Sequence, residues 1–225
     1  MAAGKALIVW GGWDGHTPKE SGELAAAMLR AEGFAVELSD TVAVYGDTAK
    51  LAGLSLVVPV WTGGTLTPEQ EKGLTEAVKA GVGLAGFHGG IIDSFRNHTE
   101  YQWMTGGQWV AHPGGGVPAY KVAIVDRQHP ITRGVADFEL HNTEQYYMHV
   151  DPGNHVLATT KFDGGHGDTT LYPAGTVMPY AWTRNWGKGR VFVAAWGHTY
   201  KDFDVPEARE ILRRGMLWAA RPGQG

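Results

Sequence analysis

The 225-residue chain sets 19 Lys and Arg against 23 Asp and Glu, a net charge of -4, and is 43% hydrophobic and 19% charged. That composition suffices for one core of a sheet with covering helices; it excludes wholesale disorder and fibrous repeats, and with no basic excess it argues against a nucleic-acid partner. Cysteine is absent altogether, which removes disulfides, thiolate metal ligands and any thiol nucleophile.

Residues 5–10 are an apolar run too short for a signal-peptide core or a membrane span, so they read as a first strand of a cytoplasmic protein without a membrane partner. A Gly-rich loop through Trp13, Asp14 and His16 follows. Thr17-Pro18-Lys19-Glu20 then carries a capping-box signature with proline at the first helical position, and the helix it predicts shows Leu24, Met28 and Leu29 on one face before stopping near Gly33. Strands are predicted at 35–38 and 54–60, the second continuously apolar and β-branched, as strands buried on both faces are. Trp61-Thr62-Gly63-Gly64 turns the chain. Thr67-Pro68-Glu69-Gln70 repeats the capping-box chemistry for a helix ending around Ala80-Gly81, with a strand at 82–87. Strands alternating with capped helices make βαβ units, hence a doubly wound, mostly parallel α/β sheet covered on both faces. From about 106 to 175 the sequence turns Gly-, His- and Pro-rich, and short alternating segments such as 120–125 predict antiparallel strands and long loops added to that sheet. A buried strand at 191–196 and a helix from Asp204-Val205-Pro206-Glu207 through Trp218 close the fold. No repeat or linker divides the chain, which predicts one domain over 1–225.

Residues 81–86 match G-x-G-x-x-G, but here the glycines leave a helix and enter a strand, the reverse of the dinucleotide-binding context. G-x-S-x-G, Walker A and H-E-x-x-H patterns are absent. Ligands of open α/β sheets bind beyond the carboxyl ends of the strands, so residues at predicted strand exits carry the most weight. Three of the ten histidines stand there: His16, His88 and His198. Each would either orient its loop or contribute to a shared site, since imidazole titrates near neutrality and ligates metals. His129 and His155 fall in turn-like segments and read as solvated loop residues.

Gly11-Gly12 with His16, Gly-Phe-His-Gly-Gly at 86–90, Gly-Gly-Gln-Trp-Val-Ala-His-Pro at 106–113, His129-Pro130-Ile131, Glu144-Gln145-Tyr146-Tyr147, and the run from Gly187 to Gly197-His198 occur in an order that resembles the ThuA-like (trehalose utilisation) family across nearly the whole chain. The resemblance implies a flavodoxin-like, class I glutamine amidotransferase-like fold. In those amidotransferases a cysteine occupies the sharp turn after a central strand and a histidine follows a later strand; by resemblance His88 takes the first place and His198 the second. A histidine there cannot form the thioester of glutamine hydrolysis, so the chain is not a glutamine amidotransferase.

Glu144 takes the acidic position of the family's glutamate-and-tyrosine run, as acid, base or metal ligand, or else as a surface carboxylate. His88, His198 and Glu144 are the expected catalytic residues. His16, His88 and His198 are the expected metal ligands, for zinc or manganese. Trp13, Trp61, Gly63, Gly64, Trp109, His112 and Tyr146 are the expected substrate-binding residues: the rings offer apolar faces to a sugar, and the Thr62-Gly63-Gly64 turn offers backbone N–H groups unless it only forms a turn. Trp103 and Trp196 also adjoin these segments, core packing being their alternative use. Asp14 would orient His16 or cap its own turn. The implied function is carbohydrate catabolism on a sugar or keto-sugar, by isomerisation, elimination or hydrolysis; the competing reading is a non-catalytic sugar-binding or regulatory module. The partner is a small-molecule carbohydrate, and assembly into a homo-oligomer stays open.

Overall fold

A computed structural model gives the fold and describes residues 4–222; the domain expected over 1–225 extends past these at both ends. In chain order the first half holds β1 (Gly4–Gly12), α1 (Pro18–Ala31), β2 (Phe34–Ser39), α2 (Thr48–Ala52), β3 (Leu56–Thr62), α3 (Pro68–Lys79), β4 (Gly83–Phe87), α4 (Gly89–Ile92) and α5 (Thr99–Thr105). The second half holds β5 (Gly107–Ala111), β6 (Gly116–Ile124), β7 (Phe138–Glu144), β8 (Tyr147–Val150), β9 (His155–Lys161), β10 (Val177–Trp186), β11 (Gly189–Ala194) and α6 (Pro206–Ala219).

Nine strands form one sheet in the order β2-β1-β3-β4-β11-β10-β9-β6-β7, and β5 pairs with β8 apart from it. Pairings from β2 to β11 are parallel, and those from β11 to β7 antiparallel. The α/β class follows from this, with an antiparallel extension as wide as the parallel part. Its middle is dry: Leu7, Ile8, Val57, Val58, Leu84, Val191 and Val193 are fully buried. At about 1.5–3 kcal/mol per buried aliphatic side chain, these strands hold the rim from which the loops rise.

Thr67 caps α3 as its sequence predicts, its hydroxyl accepting from the Gln70 N–H at 3.3 Å while Gln70 Oε1 accepts from the Thr67 N–H at 2.9 Å. Thr17 departs from the same expectation. Its backbone is left-handed (φ 46°) with no cap bond, because its N–H closes a tight turn on the Asp14 carbonyl at 2.9 Å. The Thr17 hydroxyl accepts from the Tyr200 N–H at 3.3 Å, tying the loop after β1 to the loop after β11. Among the described residues no helix is long and apolar enough to cross a membrane.

Helix α6 packs beside the end of α1, where Arg213 donates to Glu32 at 2.6 Å and to Glu210 at 2.7 and 2.8 Å. Hydrogen bonding from Arg213, with Arg214 adding to it, pulls the Glu210 carboxyl from its ordinary 4.5 down to about 2. A folded value below the unfolded one adds stability above the unfolded pKa, and that stability is lost as pH falls through the folded pKa. Solvent screening limits it to about 1 kcal/mol. Glu210→Gln is therefore expected to lower the urea midpoint at neutral pH, the gap to the native chain shrinking as pH falls from about 5 to 3; a gap that stays constant over that range contradicts the assignment.

Candidate functional site

The loops after β1 and β3, the segment after α4, the β5 edge and the end of β7 line one cavity of about 550 Å³, within the usual range for small-molecule sites. His16 and Glu144 stand in its wall, with His88 and His198 behind them. The loop after β1 carries His16 inward and leaves the Trp13 ring 55% exposed at the rim. Close approach between the exits of β1 and β3 requires glycine, since a Cβ on Gly12 (φ 81°) would stand 2.1 Å from the Thr62 carbonyl oxygen. After β4 the chain turns sharply at His88 (φ 47°, ψ -145°), an unusual backbone for a non-glycine residue, held by its N–H donating to Ala194 O at 2.7 Å. After β11, Asp202 Oδ2 accepts from the Gly197 and His198 N–H groups at 3.1 and 3.0 Å and from the Thr143 hydroxyl at 2.8 Å. One buried carboxylate thus fixes the His198 loop and the residue preceding Glu144 together.

The result is a cluster: His16, His88, Glu144 and His198 each bring one ligand atom to within 4.8 Å of the others. Glu144 Oε2 lies 3.2 Å from His88 Nε2, 3.2 Å from His198 Nδ1 and 3.8 Å from His16 Nε2. Ligand atoms about 2.1 Å from a tetrahedral zinc are about 3.4 Å apart, and these separations bracket that edge. The nitrogens facing away are already engaged. His88 Nδ1 bonds Ala195 O at 3.0 Å, and His16 Nδ1 bonds the Thr62 hydroxyl at 2.7 Å. Orientation of ligating imidazoles through their second nitrogen is the usual support of a metal site.

Protonation sharpens this. A carbonyl only accepts, so His88 Nδ1 carries the hydrogen of its bond to Ala195. Burial pulls the His88 pKa down to about 3, the hydrogen bond to Glu144 opposing it and the charge of His16 adding to it. At neutral pH His88 Nε2 is therefore a bare lone pair facing a carboxylate oxygen. Burial alone would raise the Glu144 pKa, but the imidazoles of His16, His198 and His88 gathered around it outweigh burial and hold the carboxyl well below the usual range. His198 Nδ1 approaches Glu144 too obliquely for a good hydrogen bond and is buried without another partner. Burial lowers the His198 pKa but the Glu144 carboxylate raises it on balance, so a positive charge is favoured here, as a proton on His198 or as a divalent cation held by the three imidazoles and the carboxylate.

Around the cluster stand other expected residues. His112 Nε2 lies 3.8 Å from Glu144 Oε1, on the side away from His88. Tyr146 stacks on His88 with ring centroids 3.8 Å apart, and its phenol pKa is raised by burial and then by the Glu144 charge. Gly63, Gly64 and Trp109 line the cavity. Trp61 does not: its ring packs against Gly11 and Gly64 as a support of the turns. Trp196 is buried between Phe138 and Tyr180, and Trp103, 63% exposed, packs edge-on against Trp186. Asp14 is exposed and closes its turn with its carbonyl rather than its carboxylate. His155 pairs with Asp126 at 2.7 Å outside the cluster, beside His129.

Sequence reasoning missed Asp202, whose role depends on three contacts formed only in the folded chain, and the pair Asp93 and Arg96 in the cavity wall. The pair had a signal, opposite charges three residues apart just beyond the Gly-Gly turn that follows β4.

By fold, the chain is similar to a protein described as ThuA-like from Bacteroides uniformis (TM-score 0.77, 18% identity, covering 97% of this chain and 91% of that one). It is similar also to one so described from Parabacteroides merdae (TM-score 0.74, 21% identity, covering 98% and 92%). A protein described as a GMP synthase subunit from Thermoplasma acidophilum shares the fold more distantly (TM-score 0.52, 14% identity, covering 95% and 94%). No curated protein matches the chain by sequence. The signature of the ThuA family, described as trehalose utilisation, matches residues 5–219, and the chain belongs to that family.

Proposed function

We propose that the chain is a carbohydrate-processing enzyme that acts on a sugar or keto-sugar by acid–base chemistry, with a divalent ion, zinc or manganese, held by His16, His88, His198 and Glu144. The observation that carries this reading is the meeting of three imidazole nitrogens and a carboxylate oxygen within 4.8 Å, two of the rings being oriented through their far nitrogens. The family's description supplies the substrate class. A divalent ion at that point supplies Lewis-acid polarisation of a carbonyl or hydroxyl oxygen.

The remaining work falls to side chains. Glu144 turns Oε2 to the cluster and leaves Oε1 toward His112, so the two can pass a proton between sugar and solvent. Tyr146, kept protonated by burial and by Glu144, offers a hydroxyl donor. The exposed face of Trp13 suits the C–H face of a sugar ring. Isomerisation, elimination and hydrolysis all begin with these groups.

Protein dialysed against zinc or manganese and then against buffer is expected to retain one ion per chain by elemental analysis, and His88→Ala and Glu144→Gln to lose it. Turnover of a keto-disaccharide such as keto-trehalose is expected to stop on chelation and return with the ion. Retained ion with sugar binding but no turnover would make the chain a binding module, and no retained ion would remove the site.

A second test leaves every ligand in place. A Cβ on Gly89 would stand 2.4 Å from His16 Cε1 and 2.6 Å from its Nδ1, while the helical backbone there tolerates alanine. Gly89→Ala is expected to weaken zinc binding, read by competition with a chromophoric chelator, by roughly tenfold or more, in a chain that still folds but melts at a lower temperature because buried His16 and Tyr146 are crowded. Unaltered affinity would mean that His16 is no ligand.

A further inference from the structure

Arg96, in the cavity wall, is unusually constrained for an arginine whose side chain is 53% exposed. Its Nε and Nη2 donate to the two oxygens of Asp93 at 2.6 and 2.9 Å, and its guanidinium carbon stands 4.6 Å from the centroid of the Trp109 ring. Asp93 is only 4% exposed and is fixed through its backbone: its carbonyl accepts from the Gly63 N–H at 2.8 Å and its N–H donates to Gly89 O at 3.3 Å. The fork is therefore registered to the same two turns that carry Thr62 and His88.

A guanidinium has five N–H donors in one plane. Asp93 takes two, and among the described residues no protein acceptor meets the other three. Asp93 also cancels the charge. An unpaired arginine in a cavity attracts carboxylates and phosphates, whereas one neutralised by a bidentate carboxylate offers directed donors without a net field. Trp109 backs the guanidinium, which makes Trp109 a support for Arg96 and leaves Trp13 as the ring for stacking.

We infer that Arg96, set by Asp93 and Trp109, binds neighbouring hydroxyl oxygens of the substrate and selects uncharged sugars over acidic or phosphorylated ones. The inference rests on the sugar-processing reading and names its substrate class. Arg96 is the binding residue, and Asp93 positions and neutralises it.

The test is calorimetric titration of zinc-loaded protein with trehalose and glucose against glucuronate and glucose 6-phosphate. The native chain is expected to favour the neutral sugars. Arg96→Gln is expected to lose their binding at least tenfold with its zinc content unchanged, and Arg96→Lys, lacking the fork, not to restore it. Asp93→Asn is expected to shift the ratio of glucuronate to glucose affinity at least tenfold toward the acid, an effect that a merely structural role would not produce. Neutral-sugar binding undiminished in Arg96→Gln, or an unchanged ratio in folded Asp93→Asn, overturns the inference and leaves the sugar reading standing. Arg96→Gln alters a half-exposed side chain and decides the matter if Asp93→Asn does not fold. A native chain that keeps its zinc but binds none of the four sugars overturns the sugar reading and this inference with it.

Discussion

The site depends on one hydrogen bond, from His88 Nδ1 to the carbonyl of Ala195 at 3.0 Å. It fixes the tautomer of a buried imidazole and turns the bare Nε2 toward Glu144 Oε2 at 3.2 Å. Two acceptors at that distance repel unless a proton or a cation lies between them, and burial, by pulling the His88 pKa down to about 3, disfavours the proton at neutral pH. His16 and His198 bring further nitrogens to the same oxygen, so the arrangement asks for a positive charge at its centre.

Rigidity around that centre comes from links between loops. Asp202 holds the His198 loop to Thr143, Thr17 ties its own loop to Tyr200, and Thr62 orients His16 from the exit of β3. Hydrogen bonds to a charged group contribute about 1.5–3 kcal/mol each, enough for the Asp202 set to keep two elements distant in sequence in register. Preorganisation of this kind lets a site act on a substrate without first rebuilding itself.

Much of the parallel half was legible because its signals are local. Proline after a threonine, a glutamine three positions on and a β-branched run announce α3 and β3 without reference to the rest of the chain. His16, His88 and His198 could be gathered by the rule that strand exits share a rim, and Glu144 entered through family resemblance. What escaped was non-local. The bond network of Asp202 has no periodicity to betray it, and β10, which carries Trp182 and Tyr180 into the core, lies beyond a Gly-rich stretch that masks the alternation around it. For Trp61, adjacency to a site in sequence does not say which face a ring presents; glycines at 11 and 64 give it a place beneath the turns. At Thr17 the local capping signal lost to the tight turn that sends His16 inward.

The protein described as a GMP synthase subunit shares the fold alone. The sharp turn after β4 presents a side chain at the centre of the rim, and here that side chain is an imidazole in a chain with no cysteine. Without a thiol the chain cannot form a thioester, and metal coordination is the chemistry we propose. The most direct measurement is anomalous diffraction at the zinc and manganese absorption edges from crystals grown with each metal. A peak about 2.0–2.2 Å from His16 Nε2, His88 Nε2, His198 Nδ1 and a Glu144 oxygen is the predicted result. Crystals saturated with metal that show no peak there, with His88 hydrogen-bonded directly to Glu144, would contradict it.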